Sequence, residues 1–379
     1  MPADPQVASD GSEDPELTET TETTATTPAA TPAARKTSPS KLVSVTGQPL
    51  MTESTSTELE PVVEEDPGRW SPLEIPRSRL KLLDFATQQE ADPEDQSVGF
   101  SARLFAQVSV PQRNPGDDLP YYERRNGNVV LTMSPALVTQ KDGSRVRRYP
   151  YGILPRLALT YVATEAFKTK SPVIELGRSM RSFLSRLDVE YSGRNANLVK
   201  QQLAALFGAQ LSVEGLAVNE SGHGTVAEYF QIAKSVNLWW ANREDAGDEA
   251  LWASEVRLSQ EFFDSIINAP VPVDLKALRA LGGSSLKIDL YLWSTHRMYY
   301  LRKPTRIKWA DLNNQFGAQY GRVRAFKAAF IKALQDVQIV YPALNAEITA
   351  DYLILRPSLT HVPSNKPYKQ VTAKTPPAQ

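Results

Sequence analysis

The chain has 379 residues, 41% of them apolar, enough for two or three ordinary domains with real cores. It has no cysteine, which excludes disulfides, thiol catalysis and every cysteine-based zinc site. The formal net charge of −1 hides an uneven distribution: residues 1–66 carry 13 acidic and 3 basic side chains, a net of −10, which leaves residues 67–379 at +9. A basic body of this kind favours polyanionic partners.

Residues 1–74 are dominated by Thr, Pro, Ala, Ser and Glu. Such a segment buries too little apolar surface to offset the entropy of ordering it, so it reads as a disordered acidic tail. No basic region followed by an apolar run opens the sequence, and no apolar stretch of about 18 residues occurs. The expectation is a cytoplasmic protein without a membrane partner.

Residues 75–150 read as a connector with a short hairpin. A helix is expected over Arg77–Gln89, followed by a Pro-rich passage through Pro111, Pro115 and Pro120. Turn signals at Asn126-Gly127-Asn128 and Lys141-Asp142-Gly143 flank Val129 to Met133. Arg145, Arg147 and Arg148 then form a basic cluster.

Residues 151–245 read as a first winged-helix domain. Pro155 suits a helix start, and Leu157, Tyr161, Val162 and Ala166 lie on one face of a helix that Ser171-Pro172 stops. Val173 to Leu176 is a short strand, and Met180, Phe183, Leu184 and Leu187 make the apolar face of the next helix. After the Ser192-Gly193 turn, Arg194–Phe207 is a helix with Val199, Leu203, Leu206 and Phe207 on one face and Arg194, Asn197 and Gln201 opposite. Leu211 and Val213 begin a strand, Asn219–Gly224 turns, and Thr225–Leu238 returns as a second wing strand. The charged stretch Arg243–Glu249 separates the units.

Residues 246–363 read as a second winged-helix domain, and 364–379 as a disordered C-terminal tail. From Val256 the chain leads to a helix capped by Ser259, carrying Phe262, Phe263, Ile266 and Ile267 and ending before Pro270. Ser284-Ser285 caps a long helix with Leu286, Leu290, Trp293 and Met298, and Trp309, Leu312 and Phe316 form a short one. The last helix, Gly321–Gln335, is expected to bury Val323, Phe326, Phe330 and Leu334 and to present Arg324, Ala328 and Lys332, with Arg322 and Lys327 on its flanks. Small Ala325 and Ala328 suit close approach to a groove floor.

The two units repeat one pattern. Phe183 aligns with Phe316, which sets Glu175-Leu176 on Lys308-Trp309 at an offset of 133; Val199, Leu203 and Phe207 align with Phe326, Phe330 and Leu334 at 127. The second copy has the tighter turn between its last two helices. The fold class expected is α+β, mostly helical, with tandem winged-helix domains behind a long disordered acidic tail, and the third helix of each shaped for a DNA major groove. Arg pairs with guanine and Asn or Gln with adenine, so base contacts are expected from Arg194, Asn197, Gln201 and Arg324. Lys200, Arg322, Lys327 and Lys332 are expected mainly on phosphates.

Catalytic signatures are missing. No G-x-x-x-x-G-K-[ST] occurs, and Gly282 to Lys287 has the wrong spacing for one and reads as a helix cap. His223, His296 and His361 are far apart in sequence, so no local metal pair forms, and Tyr299-Tyr300-Leu301-Arg302 reads as an aromatic helix end rather than a recombinase site. No enzyme activity, cofactor or metal is expected.

From about Asn128 to Pro363 the chain resembles the plasmid-encoded RepA family of replication initiators. The resemblance is carried by Tyr151 to Arg156, Thr164-Glu165-Ala166, Thr169 to Pro172, Glu175 to Met180, Phe262-Phe263, Pro270 to Leu275, Ala277 to Leu281, Asp289-Leu290-Tyr291, Gln315-Phe316-Gly317 and His361-Val362-Pro363. It implies a protein that binds repeated sites in its own plasmid origin, helps recruit host replication proteins such as the helicase or its loader, and controls copy number through monomer and dimer forms. The family supplies no catalytic residues. The alternatives are a winged-helix transcriptional repressor or autoregulator, and more remotely a nuclease or recombinase with a dispersed site.

Overall fold

A computed structural model describes residues 77–92, 96–140, 142–219, 222–238, 254–317 and 320–363. The expected tails at 1–74 and 364–379 and the charged stretch Arg243–Glu249 lie outside them.

The chain enters through α1 (Arg77–Ala91), β1 (Val98–Ala102) and α2 (Arg103–Gln107). Strands β2 (Tyr122–Asn126) and β3 (Val129–Ser134) follow, joined by a two-residue turn in which Gly127 has φ 58°, a left-handed value suited to glycine. A separate ribbon, β4 (Ala136–Thr139) and β5 (Arg145–Arg148), leads to α3 (Ile153–Thr169). Then come β6 (Val173–Gly177), α4 (Met180–Arg186), α5 (Gly193–Gly208), β7 (Gln210–Asn219), β8 (Gly222–Gln231), β9 (Ala233–Asn237) and β10 (Ser254–Leu258). Helix α6 (Gln260–Asn268), β11 (Pro270–Asp274) and α7 (Leu275–Ala280) bridge to α8 (Ser285–Tyr300), β12 (Thr305–Lys308), α9 (Trp309–Phe316), α10 (Val323–Val340), β13 (Ala346–Ile348) and β14 (Tyr352–Leu355).

The repeat read from spacing is matched by burial. Phe183 and Phe316, Leu176 and Trp309, Val199 and Phe326, Leu203 and Phe330, and Phe207 and Leu334 are all buried. Each such side chain removed from water contributes about 1.5–3 kcal/mol. In the second copy Trp309 and Phe330 pack edge to face at 5.6 Å, as do Trp293 and Phe316.

Both copies carry a three-stranded sheet of the same order, β6-β10-β9 in the first and β12-β14-β13 in the second. The strand before the two short-spaced helices thus pairs with the last strand, and the last with the middle one. In the first copy the hairpin β7–β8 is additional: β7 pairs with β3, giving the sheet β2-β3-β7-β8.

Several expectations need revision. The single returning strand Thr225–Leu238 is two strands, broken at buried Ile232, where the chain changes sheets. The break is fixed by Ser259, whose N–H bonds Ile232 O (3.1 Å) and whose Oγ bonds Gln231 O (2.5 Å). Helix α7 was not anticipated; Asp274 caps it by accepting from Lys276 N–H at 2.9 Å. Ser284 occupies the N-cap of α8 without a side-chain cap bond. Helix α10 runs to Val340 rather than Gln335, because Val337 and Val340 continue its buried face, while Val323 in its first turn is 42% exposed rather than buried.

The passage 75–150 is threaded through both copies. Helix α1 packs on α10, α2 on α8, β2 on α9, and β1 pairs with β11 from Val98↔Asp274 to Ala102↔Pro270. Thr164 of α3 ties this junction, its Oγ1 accepting from Phe100 N–H at 2.8 Å. One hydrophobic core runs through both copies and this passage.

Candidate nucleic-acid interface

Helix α5 is set by its caps. Ser179 caps α4, accepting from Ser182 N–H at 3.1 Å, and Ser192 caps α5, accepting from Asn195 N–H at 3.2 Å. Asn195 also donates to Glu190 O (2.9 Å), which fixes the entry to α5. Val199, Leu203, Leu206 and Phe207 are buried on its inner face, and buried Gln202 accepts from Tyr151 N–H at 2.7 Å, tying α5 to the start of α3. Arg194, Asn197 and Gln201 are exposed together on the outer face, and Lys200 is half-buried beside them. Just before α5, the guanidinium of Arg181 lies over the Tyr191 ring at 4.7 Å. Reading 180–187 only for its apolar face passed over this Arg, although an exposed Arg in the first turn of α4 was visible in the sequence.

In the second copy Phe326, Phe330 and Leu334 anchor α10, and Arg322, Arg324, Ala325, Ala328 and Lys332 are exposed. Lys327 is different: its ammonium donates to Thr349 O (3.0 Å) and Ala350 O (2.6 Å) in the β13–β14 turn and sits 4.8 Å from the Trp309 ring centroid. It fastens that turn to the helix. Beside Lys332 runs a groove of about 450 Å³, lined also by Arg113, Ser284, Lys287 and Tyr320. Lys287 is neutralised there by buried Asp336 at 2.7 Å.

The fold therefore gathers Arg194, Asn197 and Gln201 on one helix face and Arg324 and Lys332 on another, with Arg322 at the N-cap of the second helix and Lys200 and Lys327 half-buried at the margins. Each set can offer cations and amides to an anionic, hydrogen-bonding ligand.

The other groups considered for chemistry are structural where described. His296 is buried, edge-on to Tyr300, and burial together with Arg103 and Arg297 lowers its pKa to about 4. His361 is buried between Tyr291, whose hydroxyl lies 2.7 Å from Nδ1, and Gln89, 2.9 Å from Nε2; burial lowers its pKa to about 4 as well. The side chain of His223 lies outside the described residues. Arg302 donates to Tyr299 O at 3.1 Å, and Arg297 to the Tyr300 hydroxyl at 2.9 Å. No group of three or more potential metal ligands occurs among the described residues. No helix among them is long and apolar enough to cross a membrane.

A buried ion pair escaped the sequence reading. Arg156 and Asp289, each 3% exposed, form a bidentate pair at 2.6 and 2.7 Å. The remaining guanidinium donors reach Val110 O, Pro111 O and Gly152 O at 2.6, 3.1 and 2.6 Å. Burial raises the Asp289 carboxyl above its ordinary pKa, and Arg156 works against that rise.

Comparison with known proteins gives one family match. Residues 149–310 match the family model RepA_C, described as plasmid encoded RepA protein, which places this stretch in a RepA-like family. Two solved structures of domains 2 and 3 of RctB are similar. One, a selenomethionine derivative, has a TM-score of 0.44 and 12% identity, covering 67% of this chain and 97% of that one. The other has 0.42 and 11%, covering 68% and 97%. Among curated proteins none matches.

Proposed function

We propose that this chain is a plasmid replication initiator that binds repeated sites in its origin DNA and helps recruit host replication machinery, such as the helicase or its loader. The observation that carries this reading is the duplicated unit whose two copies expose Arg194, Asn197 and Gln201 on α5 and Arg324 and Lys332 on α10. The RepA-like match over 149–310 supports it. In this reading the two copies are winged-helix domains, residues 151–245 and 246–363. The wing of the first is the β7–β8 hairpin and that of the second β13–β14, and α5 and α10 enter successive major grooves. Arg194, Asn197, Gln201 and Arg324 read bases, while Lys200, Arg322 and Lys332 hold phosphates. The chain acts in the cytoplasm without catalysis or cofactor, and a monomer–dimer equilibrium sets how many copies meet the origin.

The test is footprinting of the full chain on DNA surrounding its own coding region, at moderate salt with random competitor. Evenly phased protected repeats are the expected result. A single palindromic footprint over the promoter would make the protein an autoregulatory repressor instead, and absence of protection would reduce both helix faces to solvated surface.

A further inference from the structure

The β4–β5 ribbon has a face that the two-helix reading leaves unused. Its cross-strand pairs are Leu137↔Arg147 and Thr139↔Arg145 on one side, Ala136↔Arg148 and Val138↔Val146 on the other. The second side turns inward. Ala136 is buried, Val138, Val146 and Arg148 are half-buried, and Arg148 pairs with Asp117 at 3.7 Å. The first side faces solvent: Arg145 and Arg147 are exposed and Leu137 is 57% exposed. Neither of these two Arg side chains has a carboxylate partner among the described residues. The acid at the ribbon tip, Asp142, is engaged by its own turn, accepting from Ser144 N–H (3.0 Å) and Oγ–H (2.6 Å).

The ribbon's root is placed by α5. A Cβ on Gly208 would lie 3.0 Å from Ala136 Cβ, so the last turn of α5 and the start of β4 are in close contact. Positions 194, 201 and 208 are spaced by sevens, and a heptad step turns a helix by only about 20°. Gly208 thus continues the face that carries Arg194 and Gln201, roughly 10 Å beyond Gln201 along the axis. The ribbon rises from the same side of α5 that is assigned to bases.

We propose that the outward face of this ribbon is a second DNA-contacting element of the first copy, with Arg145 and Arg147 on backbone phosphates flanking the site α5 reads and Leu137, across from Arg147, packed against the sugar edge. This rests on the proposed function, since it takes α5 as a DNA-reading helix. The contact adds affinity and register without base preference.

The experiment uses the full chain, wild type and R145Q/R147Q, with a duplex from around its coding region and a random duplex, titrated with salt. Two lost phosphate contacts lower the slope of log K against log salt by about 1.8, with the preference between duplexes preserved. The single variants R145Q and R147Q, each expected to lower the slope by about 0.9, decide the matter if the double variant fails to fold. Wild-type preference with an unchanged slope in the variants overturns the ribbon contact alone. A wild type indifferent to sequence overturns the reading of α5, and the ribbon contact with it.

Discussion

Arg156 and Asp289 stand 133 residues apart, the offset that relates the two copies, and they meet in a buried bidentate ion pair. Equivalent positions of the first helix in each copy therefore touch each other, as subunits do at a two-fold axis. Opposite charges at one repeat position turn a duplicated unit into a matched pair. The same guanidinium also holds the passage 110–111, so three segments converge on one side chain.

Removing one partner strands the other charge in the core. Asp289→Leu and Arg156→Met are each expected to destabilise the fold by about 3–5 kcal/mol, while the double replacement that combines them costs much less than the sum of these singles. Urea denaturation of the four proteins measures the coupling; additive losses would show the pair is not a unit.

On α10, neighbouring cations should differ in effect. Arg324→Ala is expected to cost roughly 1–3 kcal/mol of binding and to relax preference at one base position, and Lys332→Ala to weaken all sequences alike. Lys327→Ala instead removes two bonds to the β13–β14 turn and is expected to lower stability by about 1 kcal/mol. Binding titrations set beside denaturation curves separate the two kinds of loss.

Acid should weaken the fold above the carboxylate range. His296 and His361 have folded pKa values of about 4, below the ordinary imidazole value of 6.5. The unfolded chain therefore binds these protons first. Their contribution is fully present above about 6.5 and is lost as pH falls toward about 4, up to a few kcal/mol for each histidine. Denaturation between about pH 7 and pH 4 is expected to show the decline, flattened in His361→Phe.

Gly99 tests the stitch between β1 and β11. A Cβ there would stand 2.5 Å from Leu275 Cδ2 and 2.9 Å from Thr164 Oγ1. Gly99→Ala is expected to cost about 1–3 kcal/mol through overpacking, read as a lowered midpoint in thermal denaturation.

Much of the fold follows from local rules. The apolar spacing of Val199, Leu203 and Phe207, and of Phe326, Phe330 and Leu334, marks a helix whatever surrounds it, because backbone geometry puts those positions on one face. Gly127 and Gly143 announce turns because a positive φ is easy for glycine. The outward set Arg194, Asn197 and Gln201 follows from the same periodicity.

Pairing between distant segments obeys no such rule. Strand β3 could have closed with β2 alone, yet it joins β7, 86 residues away at Val129↔Gly215, and the middle and last strands of the first sheet are β9 and β10. A strand's alternation specifies which face is buried but not which edge it meets. Lys327 likewise reads as one more cation on a basic helix until the β13–β14 turn brings two carbonyls to its ammonium. Nothing in the local spacing of Arg156 and Asp289 marks them as a pair until the core closes around both. Helix faces and turns are settled by neighbours three or four residues away, which the chain carries with it. Strand partners, and whether a charge is spent inside the fold or left facing solvent, depend on contacts across more than a hundred residues, made only when the two copies pack on one core.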